Sequence, residues 1–300
     1  MCHSLLSVFH ISKRMRSVLF SAAAVLAAAE LAAGNAPHAF PRGVLLVPPG
    51  AGPGHPAGLS VVDGTLPMNA TTTLNTHVAT IANPVGHWKV FCPGCGGANT
   101  CVGYGEHVST QAKAHGCQWA TNGGPFGMLD WACMGPMVSN GVVVHNASSS
   151  NSDACFGLVY VPNNPAPTQI FMGDINADNW DAYVPAAQEL FCGFHWLVFD
   201  GVVQPSAAPL VAPRTIIGTD AQNRVVNAVV DGSEKARTGL TLNETAAWAA
   251  HTLGLRYAVN LDGGGSSTVW YDGAVRGCPT CIDVPWCCER SVVTISCVVP

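Results

Sequence analysis

Asn260-Leu261-Asp262-Gly263-Gly264-Gly265-Ser266-Ser267-Thr268 sets a carboxylate and two serine hydroxyls around three successive glycines. Three glycines in a row cost chain entropy, so a sequence that keeps them needs left-handed torsions or a close approach to the backbone. With Asp262 before them and Ser266 and Ser267 after, such a loop can bind sugar hydroxyls or phosphate oxygens. It is not a nucleotide P-loop, because no Lys follows the glycines and the next segment reads as strand. Nor is it a nucleophile elbow, because Gly265-Ser266-Ser267-Thr268 lacks the second glycine.

The elements that must hold this loop are legible on both sides. Arg256–Leu261 reads as a strand leading in and Thr268–Tyr271 as a strand leading out. Upstream, Thr241 and Glu244 have the spacing of a capping box, and Leu242, Ala246, Ala249 and Leu253 share one face of a helix that Gly254 ends. A shorter version of this pattern runs from Ser109 to Gly124: a helix to His115, Gly116 as its stop, a strand over Gln118–Thr121, then Asn122-Gly123-Gly124. We therefore expect two related helix–strand–glycine-loop units, with Asn122 and Asn260 flanking one cleft about a pseudo-twofold.

Elsewhere strands dominate. Thr76–Asn83, Trp88–Phe91, Phe156–Val161 and Ser291–Val299 read as strands. Met137–Val144 turns at Asn140-Gly141 and Phe194–Val203 at Asp200-Gly201. Arg214–Gly218 and Val225–Val230 pair as a hairpin, closed by Asp231-Gly232, and Asp174–Tyr183 reads as a polar loop. The expected class is α+β, mostly antiparallel strands with two or three helices, disulfide-rich. Residues 37–75, rich in Pro, Gly, Ala and Thr, are expected to be loosely structured ahead of a catalytic domain at 76–300, apart from a short strand at Gly43–Val47.

Composition excludes several classes. Charged residues make up 10% of the 300 and the net charge is −5, which argues against a nucleic-acid partner. Residues 1–36 have the basic flank, apolar run and small residues of a signal peptide; no later stretch is long enough to span a membrane. Of 13 cysteines, removing Cys2 with that segment leaves an even number, suited to disulfides in an oxidising compartment. The sequons at Asn69, Asn146 and Asn243 agree with a secretory route. The Cys92/Cys95 and Cys278/Cys281 pairs have zinc-ligand spacing, but disulfides are the favoured use. No histidine spacing suggests a metal site, and nothing implies a cofactor. Trp180, Trp196 and Trp248 are read as core.

Taken in order, Ala114–Gly124, Cys133–Gly141, Arg214-Thr-Ile-Ile-Gly218, Asp231-Gly232 with Thr241–Glu244, Asn260–Thr268 and Glu289-Arg290-Ser-Val-Val resemble the phosphodiester glycosidase family over roughly residues 76–299. Departures are the single aromatic, Phe126, after the first glycine loop, and Ser233 where bacterial members often carry Arg. The chain stops at Pro300, without the EGF-like module, span and tail of animal members. Animal-type cysteine placement implies a Cys117–Cys297 bridge.

The resemblance implies hydrolysis of a sugar-1-phosphodiester on a glycan or glycoprotein, with α-N-acetylglucosamine-1-phospho-6-mannose as reference substrate, in the Golgi-like lumen or outside the cell. Such a site must hold an anionic phosphodiester and stabilise an oxocarbenium-like sugar. Arg214 and Arg290 are the expected guanidinium ligands of phosphate, and backbone N–H groups of Gly263, Gly264, Gly265, Ser266 and Ser267 the expected cradle. Asp262 is the first choice for the carboxylate at the anomeric carbon and Asp231 the second. Asn122, Gly123, Gly124 and Asn260 are expected to contact the sugar. The structural alternatives are that the arginines pair with Asp231 or Glu289 and that Asp262 caps its own turn. A glycosidase for another phosphodiester or a cell-wall glycan, and a non-catalytic sugar-binding module, are the alternative functions.

Overall fold

A computed structural model describes residues 43–50, 55–98, 100–146, 154–281 and 286–300. The expected signal segment lies outside these residues, as does the sequon at Asn146 in part. Four antiparallel sheets are present among the described residues, the smallest pairing Glu106–His107 with Ser291–Val292. The largest has seven strands in the order Val202–Val203, His195–Phe199, Leu255–Asn260, Arg214–Asp220, Val225–Val230, Thr73–Ile81 and Leu59–Pro67. A five-stranded sheet orders Ala274–Arg276, Val269–Tyr271, Trp119–Asn122, Ile295–Val298 and Trp88–Phe91. The third, of six strands, runs Val44–Leu46, Thr168–Gly173, Ala154–Tyr160, Ala187–Gly193, Met137–Ser139 and Val142–His145.

Turn chemistry sets much of this. Asn140-Gly141, Asp200-Gly201 and Asp272-Gly273 all take positive φ at both positions, as two-residue hairpins of type I′ require. The helix Val108–His115 ends at Gly116 (φ 66°). The second helix has the expected capping box between Thr241 and Glu244 over Leu242–Ala247. It then widens into a π turn, Trp248–Thr252, rather than running on as a regular helix. Its Ala246 and Ala249 face a core with Leu197, Ile216, Ala228 and Ala258, as the periodicity implied. Trp196 and Trp248 are buried and Trp180 packs on the second core cluster. No helix among the described residues is long and apolar enough to cross a membrane.

Some expectations need correction. Within 37–75, Leu59–Pro67 is not loose: it pairs residue for residue with Thr73–Ile81 at the sheet edge. Its solvent-facing pattern, with little alternation, hid it. Thr168–Gly173 and Ala187–Gly193 are strands the sequence did not announce, because their burial is nearly continuous and leaves no period of two. The polar loop contains one helical turn, Trp180–Tyr183. The C-terminal strand is broken into Ser291–Val292 and Ile295–Val298.

Six disulfides use all twelve cysteines after Cys2: Cys92–Cys95, Cys101–Cys133, Cys117–Cys297, Cys155–Cys192, Cys278–Cys287 and Cys281–Cys288. The zinc alternative falls with them, since its four cysteines are all oxidised. Such cross-linking belongs to an oxidising compartment.

Candidate active site

The strands Trp119–Asn122 and Leu255–Asn260 belong to different sheets, and the glycine loops that follow them meet. Asp262 N–H donates to the Gly123 carbonyl (3.1 Å), and Asn122 Nδ2 donates to the Asp262 carbonyl (2.7 Å). Asn122 Oδ1 accepts from Thr215 Oγ1 (2.7 Å) and from the Thr268 N–H (3.3 Å). Thr215 Oγ1 also shares a hydrogen bond with Ser267 Oγ (3.2 Å). One layer deeper, Asn227 Oδ1 accepts from Trp119 Nε1 (2.8 Å) and Thr121 Oγ1 (3.0 Å), while its Nδ2 donates to the Ile216 carbonyl (2.9 Å). This satisfied buried network fixes where the Asp262 turn sits.

Above the turn opens a cleft of about 370 Å³. Its polar lining residues are Arg214, Glu234, Asn260, Asp262, Gly263, Gly264 and Arg290, and its apolar ones include Phe126, Met128, Phe194, Leu210 and Leu242. The glycines now have a reason. A side chain at Gly264 would collide with Glu234 Oε1, and one at Gly265 would sit 2.7 Å from an Arg290 guanidinium nitrogen and from the Cys281 carbonyl. At Gly263 it would press on the Pro213 carbonyl at 3.0 Å. The bare loop lets the functional side chains lie directly against backbone, and Gly264 (φ 58°) adopts a torsion that favours glycine.

Charge in the cleft is unbalanced in an informative way. Arg214 Nε donates to the Leu240 carbonyl (2.9 Å) and an Nη to the Leu210 carbonyl (2.6 Å). Arg290 Nε donates to the Cys281 carbonyl (3.0 Å). Among the described residues, neither guanidinium has a carboxylate within ion-pair distance. Asp231 is engaged instead with the Cys278 N–H and His77, and Glu289 with the Ser109 N–H, so the structural pairing alternative does not hold. Burial eases Arg214 below its usual pKa, with Glu234 opposing. Carbonyls orient both guanidiniums while leaving donors for an anion.

Burial pushes Asp262 up to about 6. The Ser266 hydroxyl, the Gly263 N–H (3.0 Å to Oδ1) and Arg290 pull it back toward the anion, and Glu234 adds to the rise. Ser266 faces the carboxylate too loosely for a well-formed bond and has no other partner. Asn260 Oδ1 is also buried without a partner while its residue lines the cleft. A buried acceptor left open beside a cleft suits a ligand hydroxyl.

The predicted residues divide into three groups. Asp262, Asn260, Arg214, Arg290, Gly263 and Gly264 line the cleft, while Gly265 and Ser266 are buried next to Gly264 in the chain. Asn122, Gly123, Gly124 and Ser267 are buried and do not line the cleft; Asn122 is only 1% exposed. The pseudo-twofold expectation therefore fails for Asn122, although the two loops do touch. Asp231 does not line the cleft; its carboxylate is held between His77, Asn75 and the Cys278 N–H. The expected N–H cradle is largely used internally. Gly263 N–H serves Asp262, Gly264 N–H the Pro213 carbonyl, and the N–H groups of Ser266 and Ser267 the carbonyls of Gly263 and Gly264. Asp262 does cap its own turn, and lines the cleft as well. Glu234 was missed: it sits in the tight Ser233–Thr238 turn after Asp231-Gly232, and an acid in a turn closing a buried strand was the available signal.

Comparison with known proteins follows the same geometry. The family model for phosphodiester glycosidase matches residues 115–299. N-acetylglucosamine-1-phosphodiester alpha-N-acetylglucosaminidase of Mus musculus is 28% identical over 243 residues, 74% of this chain and 45% of that one. The Homo sapiens protein of the same name gives 28% over the same length. The chain thus spans less than half the length of these curated relatives. In fold, it matches the zebrafish catalytic domain of that name, solved auto-inhibited by its pro-peptide: TM-score 0.71, 22% identity, covering 87% of this chain and 89% of that one. A hypothetical protein from Synechocystis shares the fold more distantly, with TM-score 0.57 at 13% identity over 81% of this chain and 62% of that one. Because the family match takes in both glycine loops, both cleft arginines and well over half of the sequence, this chain belongs to the phosphodiester glycosidase family.

Proposed function

We propose that the chain hydrolyses a sugar-1-phosphodiester, breaking the bond between the anomeric carbon and the bridging phosphate oxygen. Water adds to the sugar, and a phosphomonoester leaves with the electron pair. The named relatives support N-acetylglucosamine as the sugar, and α-N-acetylglucosamine-1-phospho-6-mannose on a glycan or glycoprotein is the reference substrate. The carrying observation is the pair of cleft guanidiniums without carboxylate partners beside a carboxyl raised to about 6. Arg214 and Arg290 hold the phosphodiester. A phosphate leaving group is acidic, so departure needs little protonation, and the work falls on the developing positive charge at the sugar. Asp262 as anion stabilises that charge or takes the proton of the attacking water. Glu234 replaces Asp231 as the second carboxylate, and Asn260 Oδ1 accepts from a sugar hydroxyl. The disulfides and the residue 1–36 pattern support action in the secretory lumen or outside the cell. Release of free N-acetylglucosamine from its 1-phosphodiester by the secreted chain tests this reading; binding without turnover would replace it with a sugar-binding module.

A further inference from the structure

Two cleft residues from distant parts of the chain close on the same glycine loop. A side chain at Gly264 would collide with Glu234, and one at Gly265 would lie 2.7 Å from an Arg290 guanidinium nitrogen. Neither Glu234 nor Arg290 belongs to a helix or strand. Glu234 sits in the Ser233–Thr238 turn, and Arg290 follows the disulfide-linked segment Cys278–Cys288. Side chains on such segments keep a fixed position only where the backbone beneath them is anchored.

Both segments are anchored at Asp231. Its Oδ2 accepts from the Cys278 N–H (3.0 Å) and from Asn75 Nδ2 (3.4 Å). The same oxygen lies 3.6 Å from Nε2 of buried His77, whose other ring nitrogen is 2.7 Å from Asp63. Gly277 rests directly on the carboxylate: a side chain there would collide with both Asp231 oxygens and with His77 Nε2. Gly232 adds a second tie, its carbonyl accepting from Thr280 Oγ1 (3.0 Å). From Thr280 the path to Arg290 is short. Thr280 bridges to Cys288, and Cys281 is joined to Cys288 by an N–H to carbonyl bond (3.1 Å) and by their disulfide. The Cys281 carbonyl then accepts from Arg290 Nε (3.0 Å). In the other direction, Glu234 stands in the turn that follows Asp231-Gly232, closed by hydrogen bonds between Ser233 and Thr238.

Resting on the hydrolase reading above, we propose that Asp231 is a positioning residue: it fixes the Glu234 turn and the Cys278–Cys288 segment against each other, and so sets where Arg290 meets the phosphodiester. It acts through the Cys278 N–H and touches no substrate. A carboxylate suits this task, because a backbone N–H bonds an ionised acceptor about twice as strongly as a neutral one. Asparagine can keep an oxygen toward the Cys278 N–H and alanine cannot, so the two substitutions should separate.

The test measures the dissociation constant of inorganic phosphate, with kcat and KM on an N-acetylglucosamine-1-phosphodiester, in the full chain. In Asp231→Ala, phosphate binding should weaken at least about tenfold and kcat/KM should fall in step, chiefly through KM, because misplacing an orienting group carries costs of that order. Asp231→Asn should stay within about threefold of wild type. Thr280→Val removes only the hydroxyl tie to Gly232 and should weaken phosphate binding by a smaller factor; it decides the matter if Asp231→Ala does not fold. Glu189→Gln disturbs a buried pair with Lys89 that does not line the cleft, and should lower thermal melting without moving either constant. Lowered melting in Asp231→Ala with phosphate binding and KM unchanged would make Asp231 a fold residue only and overturn the proposal. Lost turnover in both Asp231 variants with phosphate binding intact would overturn it as well, by placing the carboxylate in the chemistry. Phosphate binding in the expected order, without sugar release by wild type, would uphold the positioning role and refute hydrolysis. No phosphate binding by wild type would overturn the proposal.

Discussion

Asp262→Asn separates stability from activity in a way that follows from the structure. The carboxyl is raised from an ordinary 3.8 to about 6, chiefly because burial penalises the charged form. A raised carboxyl means the folded state binds its proton more tightly than the unfolded chain does. The associated stability is fully present below about pH 4 and is lost as pH rises through about 6. At roughly 1.4 kcal/mol per pH unit, the difference between 3.8 and about 6 corresponds to about 3 kcal/mol at pH 8. Asparagine has the same shape, keeps an oxygen for the Gly263 N–H and carries no charge. The variant should therefore match wild type within about 1 kcal/mol at pH 4 and exceed it by about 1–3 kcal/mol at pH 8, while losing phosphodiester hydrolysis. Urea denaturation at pH 4, 6 and 8, with sugar release measured in parallel, checks both halves. Equal or lower stability for the variant at pH 8 would show that burial of charge does not dominate this site.

Other expectations follow from the same geometry. If the Asp262 anion is the working form, log kcat/KM should climb with pH to about 6 and level above it; a profile flat from pH 5 to 8 contradicts that assignment. Arg290→Ala should lower kcat/KM at least about 100-fold and abolish inhibition by inorganic phosphate, and Arg290→Lys should not restore either, since a single ammonium cannot replace the fork. Burial lowers the pKa of His77, but hydrogen bonds and charge from Asp231 and Asp63 outweigh it, and the net pKa is raised. That cluster stabilises the fold below about pH 6.5 and its contribution fades as pH rises through the folded value. His77→Gln should consequently cost stability at pH 5.5 and much less at pH 9, as read by thermal melting. Asn227→Ala strands the Trp119 and Thr121 donors and the Ile216 carbonyl, and should cost about 2–4 kcal/mol in denaturant titration.

Legibility in the sequence tracked local chemistry. The Thr241/Glu244 cap, the Asn140-Gly141 and Asp200-Gly201 turns and the stops at Gly116 and Gly254 are written in neighbouring residues, and the fold carries them as read. Thr168–Gly173 and Ala187–Gly193 were not legible because both of their faces are covered, which removes alternation. The same divide runs through the site. Asp262 and its glycines stand together in the chain, whereas the burial of Asn122, expected to contact the sugar, is set by contacts distant in the chain. Asn122 reaches the loop from 140 residues away through its hydrogen bond to the Asp262 carbonyl. Asp231 is held by His77 and the Cys278 N–H, and the acid that lines the cleft is Glu234, in the tight turn that follows. The cleft also draws Met128, Phe194 and Leu210 from three separate loops, so no sequence window contains its lining.

Which bond breaks is the most direct test of the whole account. Hydrolysis of an N-acetylglucosamine-1-phosphodiester in 18O-labelled water, followed by mass spectrometry of both products, should put the label on the anomeric carbon of the free sugar and leave the phosphomonoester unlabelled. Label in a phosphate, whether in N-acetylglucosamine 1-phosphate or in a phosphomonoester released with unlabelled sugar, would mean that Arg214, Arg290 and Asp262 direct attack at phosphorus instead.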